Sequence, residues 1–314
     1  MKNKRVLLIA GGGTLGTYTA KELLSLGCSV EVLCPEEKNS DDPALCYIRG
    51  LGDREVLEKL FSATHYDGIV NFIHYPDVEE YKRIHPFLIA NTDHLIFLSS
   101  YRVYANEQTP VKESSPRIYD VTKDDAYFEE EDYSCPKAQA ENYLFSECAG
   151  EPWTIVRPVI SFSDRRIDMF TYSGRDLLDN DTLTMPSLAK NLCAGIDWAG
   201  NSGKLIAHLL FKTAAYGEAY TVSSAQNLTW GELAQIYTDV IGIKFEWVDE
   251  SVFLENNTVI LTNPSKRWLY NYDRKYDRCI DNSKILSVTG LHDSSFLPIK
   301  DGIKIELENI KRRK

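Results

Sequence analysis

The sequence is poor in the features that mark secreted, metal-bound or membrane chains. Its seven cysteines are an odd set with no C-x-x-C pair and no Cys/His cluster at metal-ligand spacing. That argues against a disulfide framework, leaves no metal site to expect, and favours reduced thiols in a cytoplasmic protein. No apolar run approaches the roughly 20 residues of a membrane span. The opening MKNKRVLLIAGGG has basic residues before an apolar stretch, but the stretch is about six residues long and runs straight into glycines. It reads as a buried strand, not a signal peptide. Positive charge is scarce as well: 35 Lys and Arg against 46 Asp and Glu leave a formal net charge of −11. This balance argues against a bulk electrostatic hold on nucleic acid or an acidic membrane surface. The basic residues at 311–314 read as a solvated terminus. Internal repeats, low-complexity tracts and long linkers are absent, so 314 residues, 43% of them hydrophobic, suit one large domain or one domain with a smaller companion.

What is present begins with residues 5–10 (RVLLIA), a continuous β-rich apolar run bounded by glycines. The run predicts a central strand of a parallel sheet, buried on both faces. Residues 14–26 place Leu15, Tyr18, Leu23, Leu24 and Leu26 near helical spacing, with Gly27 as the stop. Between them, Gly11-Gly12-Gly13-Thr14-Leu15-Gly16 matches G-x-G-x-x-G at Gly11, Gly13 and Gly16 in a strand-turn-helix context. The first glycine permits a tight turn, the second lets backbone N–H groups approach a pyrophosphate, and the third lets helix and strand pack closely. The first helical turn, with Thr14 and Leu15, then offers partial positive charge to the phosphates. A second strand at 29–33 ends in Cys34-Pro35-Glu36-Glu37, where the residue that reads the adenosine ribose normally stands. Glu36 and the lack of an arginine there tilt the cofactor to NAD and leave NADP open.

The βα alternation continues through strands near 46–48, at 68–73 and at 94–98, and helices over 53–63 and about 78–90. The sheet is predicted to be doubly wound. The fifth strand ends in Ser99-Ser100-Tyr101-Arg102-Val103-Tyr104. Ligands in such sheets sit beyond the carboxyl ends of the strands, so these serines are expected at the cofactor crevice. After an irregular stretch whose acids at 129–132 read as favourable helix N-terminal charges, Tyr133-Ser134-Cys135-Pro136-Lys137 opens a helix that runs to Gly150. A spacing of four puts Tyr133 and Lys137 on one face, a turn apart. An ammonium there lowers the phenol's pKa and can hydrogen-bond a nicotinamide ribose, leaving the phenol able to exchange a proton near neutral pH. Alone, Y-x-x-x-K is a common pattern.

Taken together, the glycine turn, the Ser-Ser-x-x-Val-Tyr strand end, the Tyr133/Lys137 pair and Arg157-Pro158 resemble the extended short-chain dehydrogenase/reductase family in identity, order and spacing. The likeness is greatest to its NAD-dependent epimerase/dehydratase branch, which acts on nucleotide-sugars. Asn71-Phe72-Ile73-His74-Tyr75 and Thr229-Trp230 look like the part of that branch that includes chloroplast RNA-binding members. The resemblance implies an α/β Rossmann fold, a doubly wound parallel sheet with a smaller C-terminal substrate lobe. The cofactor domain would comprise 1–165 with a return segment at about 190–225, and the lobe 166–189 and 226–314. Ser100 would orient the substrate hydroxyl or carbonyl, Tyr133 act as the acid/base, and Lys137 bind the ribose and tune Tyr133. Ser99 is the weaker serine and a cofactor contact. Phe72, Ile73, His74 and Tyr75 would lie under the adenosine half of the cofactor, Pro158 near the nicotinamide, and Asp53 at the adenine. A homodimer through the helix of Tyr133 and Lys137 is also implied. The chain departs from the family where sugar dehydratases carry an Asp-Glu pair: Tyr101-Arg102 stands there, which disfavours a 4,6-dehydratase and makes both residues candidate substrate contacts. Two further departures are Ala105 for the usual glycine and Trp198-Ala199-Gly200-Asn201 before the next helix.

Residues 153–157 and 219–222 read as the sixth and seventh strands, and the intervening 162–185 as polar and irregular. Arg165 or Arg166 there would hold a nucleotide-sugar pyrophosphate bidentately, or be surface arginines. The run at 266–274 (KRWLYNYDR) mixes bases and aromatics. It supplies Arg267 as a substrate candidate, and would either stack a nucleotide base or RNA or form a packed aromatic cluster with a basic rim. Three functions follow: an epimerase-like oxidoreductase using transient hydride transfer, a net NAD(P)H-dependent reductase or dehydrogenase of a carbonyl or sugar, and a non-enzymatic RNA- or protein-binding member of the fold. Acidity and the intact Ser/Tyr/Lys set favour the enzymes and a small-molecule substrate.

Overall fold

The apolar run after Arg5 forms the middle of a sheet because none of its four side chains tolerates water. Val6, Leu7, Leu8 and Ile9 are all fully buried, each worth roughly 1.5–3 kcal/mol of burial. The computed structural model describes residues 2–130 and 132–313; Glu131 of the acidic run and Lys314 of the basic tail lie outside them. Seven strands pair in parallel in the order β10-β6-β5-β4-β1-β2-β3. They are β1 (Arg5–Ile9), β2 (Ser29–Cys34), β3 (Leu45–Arg49), β4 (Gly68–Asn71), β5 (Leu95–Leu98), β6 (Trp153–Pro158) and β10 (Glu218–Val222). Alternate residues of β1 face opposite layers, as a pleated strand requires. Val6 and Leu8 pack with Leu23 of the helix Thr14–Ser25 and Leu205 of the helix Ala199–Leu209. Leu7 and Ile9 pack with Leu57, Tyr81 and Leu144 of the helices Arg54–Ala63, Val78–Ile89 and Ser134–Glu147. The chain is therefore the doubly wound α/β fold expected.

Four short strands stand apart from the main sheet: β7 (Ile160–Phe162) pairs with β9 (Ile196–Trp198), and β8 (Thr182–Pro186) with β11 (Lys244–Val248). Residues 162–185 are therefore more regular than expected, holding β8 and the short helix Gly174–Asp179, whose Ser173 and Asp176 form a reciprocal capping box. Thr229 and Glu232 do the same for the helix Trp230–Ile241, and Gly242 ends it at φ 86°. These elements share a separate apolar cluster that includes Phe162, Met169, Phe170, Trp230 and Phe253, lying over the carboxyl ends of the main strands. No disulfide joins the described cysteines, and no described helix is long and apolar enough to cross a membrane.

Candidate functional site

Beyond the carboxyl ends of β1, β4, β5 and β6 lies a cavity of about 540 Å³, lined on one wall by the glycine turn and on the other by Ser100 and Tyr133. The turn is built by close approach. A Cβ on Gly16 would stand 2.2 Å from the Gly11 carbonyl oxygen, and one on Gly11 would stand 2.6 Å from Leu8 Cβ. Gly13 is different: its Cβ would meet nothing within 4 Å, and the cavity opens beside it. Gly13 is also the N-cap of the first helix, with no capping side chain and no acid in the first turn. Thr14, Leu15 and Gly16 line the cavity, so the first-turn amides face it without a competing carboxylate. This arrangement fits a pyrophosphate.

The other expected cofactor contacts divide. Phe72 and Pro158 line the cavity. Glu36 packs its carboxylate beside Gly12, 2.8 Å from where a Cβ would stand there. Its carboxyl is held below the ordinary value by its own backbone N–H, then by Cys34, Lys38 and Arg165, against some burial. Asp53 has a local role: its carboxylate accepts from Val56 N at 3.0 Å as the N-cap of the Arg54–Ala63 helix, because an unsatisfied helix end lies next to it in the chain, and it is not among the cavity's lining residues. Ile73 packs over Gly52 and is known to the site only through its carbonyl, which accepts from Lys137 Nζ at 3.4 Å. Tyr75 is buried, its hydroxyl accepting from Asn71 at 2.9 Å. His74 sets its ring 4.7 Å from that of Tyr133. Burial and then the Lys137 charge push the His74 pKa down to about 4, so the imidazole is neutral.

The two serines, adjacent in sequence, have opposite fates. Ser99 donates to Glu141 Oε1 at 2.6 Å, inside a buried cluster in which Glu141 also accepts from Arg157 at 2.7 and 2.8 Å and Arg117 at 3.0 Å. Burial raises the Glu141 pKa, but Arg157 and its hydrogen bonds outweigh it and keep the carboxyl below its usual value. Ser99 reaches the cavity wall with its hydroxyl already committed, whereas Ser100 accepts only from the Arg102 amide at 3.2 Å. Tyr133 lines the cavity; Lys137, one turn on, is 1% exposed and donates to the Leu98 carbonyl at 2.6 Å. Desolvation lowers the Lys137 pKa to about 7, opposed by Glu141. The ammonium lies 6.0 Å from the Tyr133 ring centre. Burial raises the Tyr133 pKa; Arg102 and then Arg166 pull it down, and Asp132 pushes it up.

The substrate candidates divide as well. Tyr101 lines the cavity, yet its hydroxyl donates to Asp273 at 2.7 Å. Arg165 bonds the Gly12 carbonyl at 2.6 Å, joined there by Lys38 at 2.8 Å, and so belongs to the glycine turn. Arg267 is ion-paired with Glu130 on the surface and is not among the cavity's lining residues. Arg102 and Arg166 do line it, each beside a carboxylate, Asp132 and Asp168. The sequence reading missed Lys266 and Arg274, which line the cavity from the opposite side. The signal was the mixed run at 266–274, in which the aromatic residues alternate inward: Trp268 is 4% and Tyr270 2% exposed. That run is the packed aromatic cluster with a basic rim, and those two rings are not available to stack RNA. Among the described residues, His85, Cys148 and Glu151 have metal-ligand spacing, but both His85 nitrogens already bond, to Tyr81 at 3.1 Å and Glu151 at 2.7 Å.

No protein-family model matches the chain, and no curated protein is significantly similar to it in sequence. Solved structures are similar in shape. A dTDP-glucose 4,6-dehydratase from Bacillus anthracis, in complex with NAD, superposes with a TM-score of 0.70 at 14% identity over 99% of this chain and 97% of that one. A UDP-glucose 4-epimerase from Thermus thermophilus, also complexed with NAD, gives 0.66 at 16% identity over 98% and 99%. The terminal R domain of the myxalamid PKS-NRPS pathway gives 0.69 at 15% identity over 100% and 92%. Over nearly its whole length the chain therefore has the Rossmann-type fold of these sugar-nucleotide epimerases and dehydratases.

Proposed function

We propose that this chain is an NAD-dependent epimerase-like oxidoreductase acting on a nucleotide-sugar. The observation that carries the reading is the single cavity in which a phosphate-binding turn faces Ser100 and Tyr133, with Arg102, Arg166, Lys266 and Arg274 around them. Four cations reach this cavity in a chain of net charge −11; Arg102, Arg166 and Arg274 are paired with Asp132, Asp168 and Asp273, and the remaining guanidinium donors with Lys266 favour an anionic substrate. A volume of about 540 Å³ suits a small ligand beside part of a dinucleotide.

NAD, when bound, supplies reversible hydride acceptance. Tyr133, acting as the phenolate, takes the proton of the reacting sugar hydroxyl and becomes the neutral phenol, and Ser100 Oγ holds the same substrate oxygen. Lys137 holds the cofactor ribose. Arg166, Lys266 and Arg274 hold the substrate diphosphate. Net redox over the cycle is zero, with the proton returned by Tyr133. Glu36 in place of an arginine at the end of β2 supports NAD over NADP. The test is conversion of UDP-sugars by purified protein with no nucleotide added, which should proceed and should vanish in Tyr133→Phe. Likeness to the R domain supports a second reading, a net NAD(P)H-dependent reductase using the same residues; consumption of added NADPH or NADH with a carbonyl substrate would establish it. We also propose a cytoplasmic homodimer formed through the helices Val78–Ile89 and Ser134–Glu147, which lie side by side on one face.

A further inference from the structure

We propose that Arg102, clamped by Asp132, is the positioning residue that gives Tyr133 its fixed positive charge, a task the family resemblance assigns to Lys137. The inference rests on the acid/base role proposed for Tyr133.

Arg102 sits in the turn Tyr101–Val103, and its amide bonds Ser100 Oγ at 3.2 Å, so one turn sets both the serine and the arginine. Its guanidinium carbon lies 5.3 Å from the centre of the Tyr133 ring. One terminal nitrogen donates to Asp132 Oδ1 at 2.8 Å. Asp132 is itself held at the helix start, accepting from Ser134 N at 2.8 Å and Ser134 Oγ at 2.5 Å. The Arg102 Nε is buried and has no hydrogen-bond partner among the described residues. A buried guanidinium N–H left unmade costs about 1–3 kcal/mol, so its retention on a cavity wall indicates work other than packing. Lys137, in contrast, commits its ammonium to the Leu98 and Ile73 carbonyls and lies 6.0 Å from the centre of the Tyr133 ring. The charged and titratable groups around Tyr133 are thus Arg102 and Asp132 beside it, Arg166 from the loop after β7, Lys137 a turn on, and neutral His74 from the loop after β4. Arginine keeps its charge at any working pH, whereas a desolvated lysine loses part of it. The two duties usually joined in one lysine are here divided between two residues.

The test replaces Tyr133 with 3-fluorotyrosine in the full chain and follows the ¹⁹F resonance against pH without substrate. Arg102→Met should raise the phenol's pKa by about one unit or more. Arg102→Lys should restore much of the shift, Asp132→Asn should lower the pKa, and Lys137→Met should leave it in place. Opposite movements in the Arg102 and Asp132 variants separate electrostatics from loosened packing, which would move both the same way and overturn the proposal. A shift with Lys137→Met and none with Arg102→Met would overturn it too. Because no turnover is read, failure of Tyr133→Phe to abolish activity would strike the proposed function alone.

Discussion

The two walls of the cavity are built on different principles. The cofactor wall is backbone: a turn whose glycines are imposed by contacts of 2.2 and 2.6 Å, leading into bare amides. The substrate wall is side chain: arginines and a lysine brought in from three distant segments, each arginine set by its own ion pair or carbonyl. A backbone wall is fixed by local spacing and binds a constant group, the diphosphate. A side-chain wall can be rebuilt one residue at a time, which is where specificity changes without disturbing the fold.

The largest effect that sharpens this contrast is chemical. Tyr133→Phe should cut turnover about 10²- to 10⁴-fold while the NAD dissociation constant, measured by calorimetry, stays unchanged. Within the backbone wall, Gly16→Ala should destabilise the fold by at least about 3 kcal/mol in urea titrations, because the Gly11 carbonyl cannot retreat. Gly13→Ala has open space and should leave urea stability within about 0.5 kcal/mol, yet weaken NAD binding tenfold or more, about 1.4 kcal/mol, by holding the phosphate off the amides. If both variants fold alike and bind alike, the backbone account of that wall is wrong.

In the segment that supplies the opposite wall the contrast lies between a buried arginine that lines the cavity and an exposed one that does not. Arg274 is 3% exposed, pairs with Asp273 and donates to the Phe170 carbonyl at 2.7 Å. Arg274→Met should cost about 3 kcal/mol by leaving part of a buried carboxylate's partnership unmade. Arg267→Ala, which breaks a surface pair, should cost under about 0.5 kcal/mol and leave substrate affinity intact. Lys137 gives a pH test between the walls. Its folded pKa near 7 lies below the ordinary value of about 10.4, so the folded state holds fewer protons than the unfolded one across that window. The burial cost of its charge is full below pH 7 and is relieved as pH rises toward 10. Relative to wild type, Lys137→Met should therefore be at its most stable near pH 6 and lose that advantage by pH 10, followed by thermal melts. Light scattering at micromolar concentration should give a dimer mass.

The glycine turn, the strand order's parallel character and the Tyr133 helix were legible in the sequence because each depends on neighbours within about a dozen residues. The family resemblance ranked Ser100 above Ser99, but the partner that commits the Ser99 hydroxyl, Glu141, stands 42 residues on and no local pattern names it. Asp53 was placed at the adenine by the family resemblance alone; its capping of the helix Arg54–Ala63 is a local role that the resemblance does not carry. The partners of Arg165 and Arg267, and the place of Lys266 and Arg274, were not legible for a related reason. Their destinations, Gly12, Glu130 and the cavity wall, are set by packing of the C-terminal segments over the sheet, and no local period encodes that.

The most direct test of the central claim is to denature freshly purified protein and quantify released nucleotide by absorbance and mass spectrometry, with Gly13→Ala alongside. The account predicts near-stoichiometric NAD from the wild type and little from the variant. Wild-type protein that releases no NAD and binds none at millimolar concentration would contradict it.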